Sequence, residues 1–510
     1  MDRIRARFLL CAALTALLLV GCATGAASQS GTAARKTETP NEEPASEPVL
    51  LGGQSYSGNE TMLKLVLTAD EIPLLERFAS LTALDLSGSD CYAEIEAYRE
   101  AHPAVDVRYT VRIDGREIPN DAAALTVSAP VDPALLSCLP GLKTLTVTEP
   151  VSPDEAGSLL AARRDAELFY SVSFCGRTVA NTERELDLSA ASPERLDEIC
   201  AALAVLPNVS RVRLDPANGA SAWTLEQADA LQRIREDLLV DYTATVFNTR
   251  FCLTDESVVF RDIDLLDRTD EVRDVLSRMP HVGRVIFDRC GIPDEQMAAL
   301  RSEFSAPKVV WRVFLRDYSC YTDAVMIRFS EKRRDMQLTD MDTLPLTYCN
   351  EVKYLDLGHN CFTDAYFVGS MPDLEVLILA VGDTTDISAL KNCPKLEYCE
   401  LFTCHVSDIS VLANCANLEH LNLSRSEITD ITPLYGLKKL KRLWLSYTDI
   451  PQEQIDTIRT LLKDCEVDVT ASHPTANGWR FLGDDPRCCA PRYRLLREQM
   501  RYADPEITSY

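Results

Sequence analysis

The stretch VKYLDL (352–357) recurs as LEVLIL (374–379), LEYCEL (396–401), LEHLNL (418–423) and LKRLWL (440–445), at a constant step of 22 residues. Val352, Leu374, Leu396, Leu418 and Leu440 hold one position. Leu355, Leu377, Cys399, Leu421 and Leu443 hold the position three further on, and Leu357, Leu379, Leu401, Leu423 and Leu445 come two after that. Outside LEVLIL (374–379), the last two columns alternate with polar or aromatic residues, as a strand with one buried face requires. A second ladder runs beside the first: Asp364, Asp386, Asp408 and Asp430, followed by Ala365, Ile387, Ile409 and Ile431.

An L-x-x-L-x-L core at a fixed period of this length is the signature of a leucine-rich-repeat solenoid. The predicted fold class is therefore α/β: a curved parallel β-sheet with helices and short convex segments, irregular N-terminal units preceding regular 22-residue coils. Thr385-Asp386, Ser407-Asp408 and Thr429-Asp430 place a side-chain acceptor where each convex segment starts and backbone N–H groups lack partners. Capping explains this ladder better than calcium, because the glycine-rich nonapeptide of calcium-binding repeats is absent.

Upstream the repeat is longer and degenerate. Leu81-x-x-Leu84-x-Leu86 returns at Leu142, Val209, Val282 and Val352, at steps of 61, 67, 73 and 70 residues. Each unit reads strand, helix, strand, short strand. Ser152-Pro153-Asp154-Glu155 is a capping box with proline at the first helical position. Thr224-Leu225-Glu226-Gln227 and Ile292-Pro293-Asp294-Glu295 open the matching later helices. The alternating stretches Val107–Ile113, Leu168–Phe174, Val240–Phe247 and Val309–Leu315 follow as second strands. A step near 70 equals about three ordinary coils, so the later strands of a unit are either true coils or a hairpin insertion.

The chain starts with a basic head (Arg3, Arg5, Arg7) and a short apolar run, Phe8–Val20, ending in Leu19-Val20-Gly21-Cys22. The run is too short to span a bilayer comfortably and reads as an export signal. Its end resembles the lipobox of bacterial lipoproteins. That resemblance implies cleavage before Cys22, acylation of the Cys22 thiol and a mature protein anchored outside the cytoplasmic membrane. Residues 22–58, rich in Ser, Thr, Ala, Glu and Pro, are expected to form a disordered tether. The expected organisation is signal 1–21, tether 22–58, irregular repeats 59–347, regular repeats 348–470 and a C-terminal cap or tail 471–510. Capping of the open terminal coil is the expected role of Trp479 and that tail.

Removing the signal, with its three arginines and one aspartate, takes the net charge from −26 to −28. So acidic a surface repels nucleic acid and anionic headgroups. Sixteen of the 18 cysteines remain once Cys11 is cleaved off and Cys22 acylated. Cys393 and Cys415 share a register with Met371 and Leu437, and Cys399 takes a core leucine position. The register favours free core thiols, although cysteines on adjacent coils could come within disulfide range.

The repeats at 352–450 resemble the internalin-type repeats of bacterial surface proteins. The mature chain resembles leucine-rich-repeat lipoproteins of Firmicutes, on the strength of Leu355-Asp356-Leu357-Gly358-His359-Asn360, the 374–379 motif and Gly478-Trp479-Arg480. The pattern departs from that family where Gly382, Cys404, Ser426 and Thr448 replace the turn asparagine.

No H-E-x-x-H, G-x-S-x-G, P-loop, G-x-G-x-x-G or C-x-x-C pattern is present, and the six histidines lack metal-ligand spacing. Neither catalysis nor a metal or cofactor is expected. The residues between the leucines carry the candidate site: Tyr354, Tyr398, Phe402, His420, Arg442, Trp444 and Tyr447, on the concave face. Aromatics and arginine dominate binding energy at interfaces. The expected function is recognition of a protein or glycan through that face, the alternative being an envelope scaffold that holds other surface components.

Overall fold

The computed structural model describes residues 48–128, 132–330, 332–482 and 489–502. The expected signal, Cys22 and the tether as far as residue 47 lie outside the described residues. The end of the expected tether is folded: Val49–Leu51 pairs antiparallel with Gln54–Tyr56. Val49 and Leu51 are buried, so this apolar pair has burial to offset its ordering.

The described chain divides at Val111 into two compact units. In the first, Met62–Lys64, Ala83–Asp85 and Asp106–Arg108 form a parallel sheet that brings Leu63, Leu84 and Val107 into register. A 3-10 helix (Ile72–Arg77) and an α-helix (Tyr92–Ala101) connect its strands.

In the second unit each long repeat resolves into both alternatives. Glu185–Asp187, Arg211–Arg213 and Leu239–Asp241 form a parallel three-stranded sheet. The chain then turns into an antiparallel hairpin, Thr243–Val246 with Thr249–Cys252. Ala124–Phe169 and the hairpin Ser171–Phe174/Arg177–Ala180 repeat the plan. The stretches expected as single second strands are thus divided, except Lys308–Leu315. That strand pairs parallel with Arg284–Asp288 in its first half and antiparallel with Tyr318–Tyr321 in its second. Tyr170 and Tyr242 mark the division in Leu168–Phe174 and Val240–Phe247. Both rings are buried, and the Tyr242 hydroxyl donates to Trp223 O at 3.0 Å. Ser152 and Thr224 each close a full capping box, whereas the helix Asp294–Glu303 starts at Pro293 without a side-chain cap.

The regular array is one parallel sheet of seven strands: β1 (Met326–Arg328), β2 (Tyr354–Asp356), β3 (Val376–Ile378), β4 (Tyr398–Glu400), β5 (His420–Asn422), β6 (Arg442–Trp444) and β7 (Glu466–Asp468). It starts 22 residues before the boundary expected at 347/348, because Met326–Arg328 pairs in register with β2. Leu355, Leu377, Cys399, Leu421 and Leu443 stand side by side across it, all fully buried. Burying one such leucine contributes about 1.5–3 kcal/mol, and stacking makes each coil depend on its neighbours.

The convex segments of the central coils are 3-10 helices, at Tyr366–Ser370, Ser388–Asn392, Ser410–Asn414 and Thr432–Gly436. Their aspartates act on backbone as expected: Asp386, Asp408 and Asp430 accept from the N–H of Ser388, Ser410 and Thr432 at 2.7, 2.8 and 2.9 Å. Each turn after a strand places one residue in the left-handed region: His359, Val381, Thr403, Arg425 and Tyr447, at φ between 57 and 63°. That conformation aims successive N–H groups at the next coil, from His359 to Ala380 O and from Val381 to Phe402 O. Asn360 ties the first turn together. Its side chain donates to Phe329 O and Leu357 O and accepts from the Leu338 N–H, all within 2.9 Å.

Cys393, Cys399, Cys404 and Cys415 are buried and unbridged. Cys393 and Cys404 point their thiols at the carbonyls of Val368 and Leu379, each at 3.2 Å.

Candidate functional site

The alternation of the strands does turn the candidate residues to the side of the sheet opposite the leucines, but that side is not open. The C-terminal segment lies across it. Val376, Ile378, Ala380, Tyr398, Phe402 and Trp444 form one buried cluster with Ala471, Trp479, Leu496 and Met500. Leu496 belongs to a helix, α1 (Pro491–Gln499). Tyr398 and Trp444 are 0% exposed, and Phe402 and His420 are also buried. Tyr354 and Arg442 are half-buried, and of the expected site residues Tyr447 remains open at 62%. The expectation of an exposed aromatic face is therefore corrected. Trp479 and the tail cap the inner face of the sheet, because several large aromatic side chains exposed together would be costly without cover.

Polar groups fix the cover in register. Glu400, at the centre of the sheet and 0% exposed, accepts from the Tyr398 hydroxyl. It also accepts from Trp479 Nε1 at 2.6 Å and Arg480 Nε at 3.3 Å, and pairs with Arg480 through its second oxygen. Asn422 Nδ2 donates to Pro474 O at 2.7 Å and Trp444 Nε1 to Ala476 O at 3.1 Å. The Arg442 guanidinium donates to Gly478 O and stacks on the rings of Trp444 and Trp479. At the other end the Tyr502 hydroxyl donates to Asp356 Oδ2 at 2.6 Å. Arg328 donates to Met500 O and Arg501 O at 3.1 and 2.7 Å.

This setting shifts several groups. Burial, followed by the charges of Arg492, Arg442 and Lys441, pulls His420 down to about 3. Burial and the neighbouring Glu400 push the Tyr398 phenol well above its ordinary value. Burial raises Asp356, against the hydrogen bond from Tyr502. Burial opposes the charge on Arg480, but Glu400 more than offsets it and holds the guanidinium protonated.

One part of the face stays accessible. Beside the tail, over β1–β3, lies a cleft of about 550 Å³. Arg328, Lys332, Arg333 and Arg480 supply cationic groups, and Phe402, Tyr493 and Tyr502 supply rings. The Arg480 guanidinium sits 5.6 Å from the Phe402 ring centre and 5.4 Å from that of Tyr493. His359, also on the cleft, is lowered by burial and then by Lys332.

Among the described residues no group of three or more His, Cys, Asp or Glu side chains is placed to hold a metal ion, and no helix is long and apolar enough to cross a membrane. Of the outward-facing column Asp356, Ile378, Glu400, Asn422 and Trp444, the sequence reading singles out only Trp444. The signal missed was the polarity of Glu400 and Asn422 between apolar neighbours, matched by Trp479 and Arg480 in the tail.

Residues 416–460 match the family described as "Leucine Rich repeats (2 copies)". No curated protein matches the chain. Among solved structures, the chain is similar to an internalin (inlF) of Listeria monocytogenes, at 18% identity over 75% of this chain and 91% of that one, with a TM-score of 0.27. An internalin C2 of the same organism aligns at 22% identity over 31% of this chain and 68% of that one, TM-score 0.25. A leucine-rich-repeat protein of Leptospira interrogans aligns at 15% identity over 80% and 93%, TM-score 0.25. With the repeat match and the in-register parallel sheet, the fold is a leucine-rich-repeat solenoid.

Proposed function

We propose that this chain is a non-catalytic recognition protein, held outside the cytoplasmic membrane by an acylated Cys22, and that it binds an acidic group of a protein or glycan. The binding place is the cleft beside the tail. The observation that carries this reading is the gathering of Arg328, Lys332, Arg333 and Arg480 around one 550 Å³ space in a chain of net charge −26. Glu400 pairs with Arg480, burial disfavours the charged form of Asp356, and Asp356 is the one acidic residue among those lining the cleft, so cationic side chains predominate in the lining. Guanidinium groups pair with carboxylate and phosphate, and the adjoining rings offer flat faces to a sugar or an aromatic side chain.

The test is a panel of acidic and neutral glycans and peptides presented to the full chain and to a Lys332→Glu/Arg333→Glu variant. Acidic members are expected to bind the unaltered chain, less tightly at high salt, and to lose binding to the variant. Equal retention by both proteins would refute the cleft. A scaffold held together through other surfaces predicts that indifference. Separately, Cys22→Ala is expected to release the protein from the membrane fraction, and continued retention there would refute the anchor.

A further inference from the structure

The thiols of Cys320 and Cys349 meet in the interior of the second unit. Their sulfur atoms are 3.9 Å apart, and both residues are buried. Cys320 lies on the return strand of the hairpin Lys308–Leu315/Tyr318–Tyr321, opposite Val313. Cys349 ends the 3-10 helix Leu344–Tyr348, where its N–H donates to Leu346 O. It occupies the register that Met371, Cys393, Cys415 and Leu437 hold in later coils. The contact therefore joins the last long unit to the first coil of the regular array.

Neighbouring contacts fix the two elements against each other. Arg301 donates to Tyr348 O at 2.9 Å and its guanidinium lies 4.7 Å from the Trp311 ring centre. The Trp311 and Tyr348 rings are 5.6 Å apart. Other core thiols use backbone instead: Cys290, Cys393 and Cys404 each point at a carbonyl at 3.2 Å.

We infer that Cys320 and Cys349 form a disulfide when this chain folds in an oxidising compartment. The sulfurs need to close by roughly 1.9 Å to reach bonding distance, a movement within the range of side-chain torsion and small backbone adjustment. The oxidant is a disulfide R–S–S–R, either a small molecule or a protein. One cysteine thiolate attacks a sulfur of R–S–S–R and expels RS⁻, giving a mixed disulfide. The second thiolate then attacks the cysteine sulfur of that intermediate and expels the other RS⁻. Two cysteine thiols are oxidised, R–S–S–R is reduced to two RSH, and the two cysteine protons end on them.

The cross-link forms before or during docking of the hairpin. In the folded chain both thiols are shielded from an oxidant. Contact with Cys349 and burial also raise the Cys320 thiol well above its ordinary value, so little thiolate is present. Prior reduced folding thus traps the thiols, and oxidative folding traps the bond.

The experiment refolds the full chain from reductant and denaturant, once with oxidised and reduced glutathione and once with reduced glutathione alone. Each product is alkylated under denaturing conditions, digested and weighed. The oxidative product is expected to yield a linked peptide pair containing Cys320 and Cys349, about 2 Da lighter than the two free thiol peptides together. Its thermal midpoint is expected to exceed that of the reduced product, and a Cys320→Ala/Cys349→Ala variant is expected to abolish that difference. Alkylation of both cysteines in the oxidative product, or their linkage to other cysteines, would overturn the inference. The mass measurement uses the unaltered chain, so it stands even if the double variant folds poorly.

Discussion

Trp479 Nε1 donates to Glu400 Oε1 at 2.6 Å, across 79 residues of chain. The same carboxylate pairs with Arg480, so one buried acid on β4 fixes the tail over the sheet. Glu400→Ala is expected to destabilise the protein by about 3 kcal/mol, by leaving Arg480 without its counter-charge and Trp479 without its acceptor. The low end of the usual range applies because the Arg480 side chain keeps 24% exposure. Urea unfolding measures the loss, and faster tryptic cleavage after Arg480 is expected with it. An unchanged midpoint would show that the pair does not hold the tail.

Trp444 and Tyr398 behave as core rather than as surface. Trp444→Ala is expected to cost about 3–5 kcal/mol. Tyr398→Phe, which removes only the hydroxyl that donates to Glu400, is expected to cost about 1–3 kcal/mol. Exposed residues on an open face would shift stability by no more than about 0.5 kcal/mol. Denaturant midpoints of the two variants separate these cases.

Val381 adopts φ 62°, a conformation that a β-branched residue enters at a cost. Its side chain is 38% exposed, so little packing compensates. Val381→Asn is expected to raise stability by about 1 kcal/mol, since asparagine tolerates the left-handed region. A lower thermal midpoint in the variant would contradict the strain.

His420 couples the face to pH. Its Nδ1 is buried without a hydrogen-bond partner among the described residues, and its folded pKa of about 3 lies below the unfolded value near 6.5. Between these values the unfolded chain binds more protons. The stability contributed by neutral His420 is therefore complete above about 6.5 and falls as the pH drops toward about 3. The slope is about 1.4 kcal/mol per pH unit once the pH is well below the unfolded value. Arg492, Arg442 and Lys441 oppose protonation, and Glu419, 3.9 Å from Nε2, favours it. In a titration of unfolding free energy, His420→Leu is expected to flatten the profile between pH 6 and 4. An unaltered slope would remove His420 as its source.

The sequence by itself determined the repeat. A 22-residue step with leucines at three fixed offsets permits one strand register, because a slip of one residue would turn every leucine outward. Asp386, Asp408 and Asp430 were legible for the same reason: a cap acts on backbone two residues away, and local chemistry shows in local sequence. The division of Leu168–Phe174 was not legible, since alternation looks the same in a coil strand and in a hairpin. What lies over Tyr398, Phe402 and Trp444 was decided by the tertiary structure alone. Alternation assigns a side chain to one face of a sheet, but whether that face meets water depends on the distant C-terminal segment that carries Trp479, Leu496 and Met500. The same holds for Cys320 and Cys349, which repeat spacing places in different units and only packing brings to 3.9 Å. It holds as well for the cationic cleft, whose arginines come from β1, from the segment just after it and from the tail.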